Sequence, residues 1–210
     1  MYRPKVFAED RIEYLHRFIH TYPLGLIITQ NINAGILANF IPASLHQDGS
    51  KGTLRFHLAR MNSQVESLRT GNDVLVVFNG PNAYVTPEAY PTKKRDGKAV
   101  PTWNYSMVQV RGKSKVIDDP QWILKQINDL TNASEARVSS NWKVSDAPTQ
   151  YIENQLKLLI GLEIEISQIE GKFKVSQNQV EENRQGVEEY FNRIGNSEMA
   201  NFVAKKGALK

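Results

Sequence analysis

Leu24-Gly25-Leu26-Ile27-Ile28-Thr29, Gln30-Asn31-Ile32-Asn33 and Gly35-Ile36-Leu37-Ala38-Asn39-Phe40-Ile41 follow one another with almost nothing between them. The first is a short β-branched run, the second a polar turn, and the third another strand-like run. That order predicts an antiparallel hairpin, because branched side chains suit a pleated surface and a short polar link leaves no room for a crossover. Before it, Ile12, Leu15, Ile19 and Tyr22 recur at helical spacing over Glu9 to Tyr22, with Asp10 and Glu13 as a capping box. After it, His46 to Gly52 is a polar loop, and Thr53-Leu54-Arg55-Phe56-His57-Leu58 alternates as a third strand.

The same pattern continues. Ser63 and Glu66 form a second capping box, predicting a short helix over Asn62 to Thr70 that stops at Gly71. Asp73 to Phe78 is an apolar strand, Met107 to Ile117 a long alternating one, and Asp119-Pro120 opens a helix with Trp122, Ile123, Ile127 and Leu130 on its apolar side. Asn132 to Gln150 is polar, and Tyr151 to Ile160 is helical in pattern. Leu162 to Ile166 alternates strictly, and Lys172 to Asn178 closes the core. Six to seven strands joined by short links are not a βαβ pattern. They predict a mainly β fold of antiparallel strands with peripheral helices, a small barrel over 1–179, followed by a charged, partly helical extension over 180–210.

Composition narrows the function classes. The chain has 210 residues, no cysteine and a net charge of +4. Thiol catalysis, disulfides and thiolate metal sites are thereby excluded, and a reducing, cytoplasmic setting is expected. No apolar run approaches the ~18 residues of a membrane span. The mild charge permits an anionic ligand without requiring one. His16 and His20 are spaced to chelate, but no third ligand is evident, so no metal site is expected. No GxSxG elbow, GxGxxG turn or P-loop occurs, and no catalytic residue can be assigned.

Five stretches carry candidate chemistry. In Gly80-Pro81-Asn82-Ala83-Tyr84-Val85-Thr86-Pro87 and Pro101-Thr102-Trp103-Asn104-Tyr105, prolines, aromatics, amides and a turn glycine, Gly80, lie between strand-like runs. They read either as a core wall or as a stacking, hydrogen-bonding wall for a flat polar ligand. His57-Leu58-Ala59-Arg60-Met61-Asn62-Ser63-Gln64 leaves a strand and enters a helix, where Arg60 is either a surface arginine beside a cap or a phosphate ligand. Lys172, Lys174, Gln177 and Asn178 either hold a phosphate or end a strand in solvent. The basic run Thr92 to Lys98 reads as a solvated loop or as a phosphate or nucleic-acid contact.

Taken in order, these motifs resemble the PaiB-type family of FMN-binding negative transcriptional regulators. Met1-Tyr2-x-Pro4-x-x-Phe7, His57-Leu58-Ala59-Arg60-x-Asn62-x-Gln64, Gly80-Pro81-x-Ala83-Tyr84-Val85-Thr86-Pro87, Val100 to Tyr105 and Glu170-Gly171-Lys172-x-Lys174-Val175-Ser176-Gln177-Asn178 carry the resemblance. It implies an FMN-binding split β-barrel, related to pyridoxamine-phosphate oxidases and flavin reductases. It further implies a homodimer with FMN at the subunit interface. Asn39, Phe40 and Ile41 would run beside the flavin, and Arg60, Asn62 and Gln64 would meet its phosphate. Trp103, Asn104 and Tyr105 would line the pocket, with His57 and Lys174 among the cofactor contacts. The activity implied is that of a flavin-dependent oxidoreductase of unassigned substrate. The alternative is a transcriptional regulator, acting on DNA directly or indirectly and without enzymatic activity. Asn82 and Ala89 depart from the family pattern, where histidine and tryptophan are usual.

Overall fold

A computed structural model describes residues 1–31 and 35–207. In chain order the elements are β1 (Ala8–Glu9), α1 (Ile12–Thr21), β2 (Leu24–Asn31), β3 (Gly35–Pro42), β4 (Ser44–His46), β5 (Thr53–Ala59), α2 (Gln64–Arg69) and β6 (Asp73–Val85). They continue with α3 (Lys93–Asp96), β7 (Thr102–Ile117), α4 (Pro120–Arg137), α5 (Thr149–Leu156), β8 (Leu159–Lys174), α6 (Glu181–Arg193) and α7 (Ser197–Ala204).

The strands follow one hydrogen-bonded order, β3-β2-β6-β7-β8-β5-β4, with β1 paired to β8. Each pair with a resolved register is antiparallel. The order ends on β3 and β4, so among the described residues the sheet is open and not closed into a barrel. The opening hairpin holds its register from Leu24↔Pro42 to Asn31↔Gly35. Gln30 and Asn31, expected in the turn, are still in β2; Ile32 and Asn33 of that turn lie outside the described residues.

Eight strands replace the expected six to seven because β1 and β4 are two and three residues long, too short to show a period. Elsewhere the strands run further than their apolar cores. β6 continues through Gly80 and Pro81 to Val85, and β8 joins the two runs at Leu162 and Lys172 into one strand. Gly80 therefore does not mark a turn. A Cβ there would lie 2.5 Å from Ser106 Oγ and 2.7 Å from the Phe18 ring, so glycine is required by close approach.

Two compact units can be recognised. The first takes 1–21, 79–109 and 170–210, and the second 22–78 and 110–169. In the first, Phe173 packs edge-on against Tyr14 and Phe18 and stacks on Phe202, while Val187, Phe191, Met199 and Val203 of α6 and α7 are fully buried. In the second, Ile27, Leu54, Phe56, Phe78, Ile123, Ile160, Leu162 and Ile164 form the core. Each such side chain contributes roughly 1.5–3 kcal/mol through removal of apolar area from water.

Helix starts follow local chemistry. Asp119 accepts from Gln121 N at 2.9 Å with Pro120 in the first turn of α4, as the sequence predicts. At α2 the expected Ser63 cap is absent: Ser63 is itself helical, and Asn62 Oδ1 accepts from Gln64 N at 2.9 Å instead. No described helix is long and apolar enough to cross a membrane.

Candidate functional site

In the second unit, β5 delivers Arg60 to the start of the link into α2. Its guanidinium does not stand free. Nη1 donates to Asp118 Oδ1 at 2.6 Å, and Nη2 donates to Leu159 O at 2.9 Å. Arg69 also grips Asp118, at 2.8 and 3.0 Å. Hydrogen bonds first from Arg69 and then from Arg60 hold the Asp118 carboxyl at about 2, well below its ordinary value. All three side chains are close to half exposed, so the cluster can exchange partners with a solvent anion.

Gln64 lies at the opposite extreme of exposure, with no accessible surface. Its Nε2 donates to Ile27 O at 2.9 Å, with further contacts to Thr29 Oγ1 at 3.1 Å and Leu37 O at 3.3 Å. Its Oε1 accepts from Asn39 Nδ2 at 3.1 Å. The structure thus brings Asn39 and Gln64 together as a brace between the β2–β3 hairpin and α2. Strand alternation separates Phe40 from its neighbours: Phe40 is exposed, whereas Ile41 is buried. His57 Nδ1 lies 2.6 Å from Oε1 of the buried Gln126, which ties β5 to α4. Asn62 serves as the helix cap.

In the first unit the same alternation divides Trp103-Asn104-Tyr105. Asn104 is fully buried, and its Nδ2 donates to Ser176 Oγ at 2.9 Å. Trp103 and Tyr105 take the outward face of β7. There Trp103, 56% exposed, meets the half-exposed Tyr84 edge-to-face at 5.9 Å. Lys172 Nζ lies 5.3 Å from the Tyr105 ring and 5.4 Å from that of Tyr2. The result is an exposed face of aromatic rings and a cation. Lys174 Nζ is tied to the start of β7, 2.7 Å from Trp103 O and 2.5 Å from Thr102 Oγ1. Burial, and then the neighbouring Lys172, push its amine below the ordinary lysine value.

In the first unit, exposed ring faces beside the Lys172 amine suit a planar, negatively charged ligand such as a flavin, and in the second unit the Arg60 guanidinium suits an anion such as a phosphate. Among the described residues no group of three or more His, Asp or Glu is placed to hold a metal ion. Sequence reasoning missed Asp118, which reaches Arg60 from 58 positions away and shows no local pattern. It also missed Gln126, a polar residue on a helix face that reads as a gap in the apolar stripe.

The comparisons bear on this geometry. Residues 1–168 match the protein family described as "Putative FMN-binding domain". An uncharacterized protein of Emericella nidulans is 37% identical over 100% of this chain and 99% of its own length. The protease synthase and sporulation protein PAI 2 of Bacillus subtilis is 26% identical over 86% of this chain and 84% of its own. Among solved structures, the flavocytochrome Anf3 of Azotobacter vinelandii superposes with a TM-score of 0.56 at 12% identity, over 80% of this chain and 69% of that one. The PaiB resemblance and the mainly β, antiparallel split-barrel class expected from the sequence are both borne out, with the sheet open where a small barrel was expected.

Proposed function

This chain belongs to the family of the putative FMN-binding domain, and from that premise we propose that it binds FMN as a homodimer with the cofactor at the subunit interface. The observation that carries the reading is the outward face of β7 in the first unit. There Trp103 and Tyr84 expose ring area that a folded core would bury, and Lys172 sits over Tyr105. Exposed aromatic surface next to a cation suits a flat, negatively charged ligand. In the second unit, Arg60 is the group proposed to meet the phosphate, in exchange for Asp118. Gln64, Asn39 and Asn62 hold the backbone around it, and His57 anchors β5 to α4. Bound FMN supplies redox chemistry, and the chain's part is to hold and orient it. This supports a flavin-dependent oxidoreductase.

Dimer formation is supported by β3. Among the described residues it ends the strand order with a free edge and exposes Ile36 and Phe40 on one face.

The resemblance to the PaiB-type family of negative transcriptional regulators supports a second reading, a role in regulation. The basic run on α3 is a poor nucleic-acid surface, because Lys93 pairs with Glu88 and Arg95 with Glu182 at 2.9 Å. We therefore favour regulation through a bound ligand over direct DNA contact. A DNA titration across salt concentrations separates the two, since phosphate contacts produce a steep salt slope.

The test of the main reading is the absorption spectrum of the purified protein before and after FMN is added, with its melting temperature. The expected result is flavin absorbance that stays with the protein through gel filtration, and a melting temperature that rises with FMN. Loss of the flavin on the column with no thermal shift would sink the proposal.

A further inference from the structure

A cavity of about 270 Å³ opens in the first unit, between the segment that leads into β7 and the turn that follows β8. That is close to the ~300 Å³ at which small-molecule pockets begin. Its charge is lopsided. Lys98 and Lys174 line it, and among the described residues no aspartate or glutamate does. Lys174 donates to two neutral oxygens, Thr102 Oγ1 and Trp103 O, and its charge is opposed by burial and by Lys172. A half-buried ammonium without a counter-ion is costly unless an anion arrives.

The rest of the wall is built for a ligand of modest polarity. Asn104 and Ser176, both buried, are hydrogen-bonded to each other. Ser176 is held at φ 64, a left-handed conformation that serine seldom adopts. Tyr90 is 5% exposed, and burial pushes its hydroxyl pKa up. Val100 and Pro101 add an apolar side.

We propose that this cavity binds a small organic carboxylate, with its anion against Lys174 and its apolar body against Val100 and Pro101. The proposal assigns Asn104 and Lys174, which the family resemblance places among the flavin contacts, to this cavity instead, and it does not depend on the flavin reading. A monoanion balances a single half-buried amine, and the apolar side distinguishes an organic acid from a bare inorganic ion.

The test is calorimetric titration of the full chain with benzoate, acetate and inorganic phosphate, each with and without saturating FMN. Benzoate is expected to bind one site, with acetate and phosphate about tenfold weaker or more. Lys174→Gln should weaken benzoate by about tenfold or more through loss of a charge-assisted bond, and Tyr90→Phe by about fivefold. Both variants are checked for an unchanged melting transition, and Tyr90→Phe serves alone if Lys174→Gln does not fold. Absence of benzoate binding, unchanged affinity in the folded variants, phosphate binding tighter than benzoate, or competition between benzoate and FMN would each overturn the proposal. Benzoate binding in a chain that takes up no FMN would support this site and refute only the flavin reading.

Discussion

Asn39 Nδ2 donates to Gln64 Oε1 at 3.1 Å, and that bond closes a ring of contacts around a fully buried amide. The same amide donates to Ile27 O and reaches Leu37 O, so one side chain ties both strands of the hairpin to α2.

Gln64→Leu should therefore cost about 2–4 kcal/mol, because it strips partners from buried carbonyls without replacing them. Urea unfolding reads this directly. If Gln64 instead touches the cofactor without bracing the fold, FMN affinity would fall while the urea midpoint stayed in place.

Trp103→Ala gives the converse result. The side chain is exposed, so stability should change by no more than about 0.5 kcal/mol. FMN affinity should fall about tenfold or more, in line with the ~1–3 kcal/mol of an aromatic stacking contact. Equal losses in stability and affinity would count against a binding role.

The Asp118 carboxyl gives a pH signature. Its folded value of about 2 lies below the ordinary 3.8, so the folded state holds fewer protons in that interval. Its stabilising contribution is complete above pH 3.8 and disappears as pH falls toward about 2. Exposure keeps the amount below ~1 kcal/mol. Carbon-detected NMR titration should find the low value, and Arg69→Ala should return it toward 3.8 more than Arg60→Ala does. An unshifted carboxyl in the unmodified chain would contradict the bridged geometry.

Much of the fold was legible because it is periodic. The two paired strands of the hairpin, the third strand at Thr53 and the Asp119-Pro120 cap all carry local signals and are found, although β2 runs on through Gln30 and Asn31. Other features depend on distant partners. Gly80 reads as a turn residue, yet it is fixed by the Phe18 ring and Ser106. Arg60 reads either as a surface arginine or as a phosphate ligand, and neither reading shows that Asp118 holds it. The Trp103-Asn104-Tyr105 motif was visible as a unit, but only strand alternation shows that its amide and its rings face opposite ways.

Phe40→Lys should weaken self-association. It places a charge on the exposed face of the end strand β3, where the proposed dimer would bury an exposed ring. Sedimentation of the unmodified chain should show a dimer at micromolar concentration, with the variant shifted toward monomer. A chain that sediments as a monomer throughout would remove the subunit-interface site.

Flavin fluorescence during titration with the unmodified chain and with Trp103→Ala tests the central claim most directly. The account predicts saturable quenching by the unmodified chain, from stacking on an exposed aromatic face, with the midpoint moved about tenfold or more in the variant. Fluorescence that does not change on addition of protein, or two titrations that coincide, would contradict it.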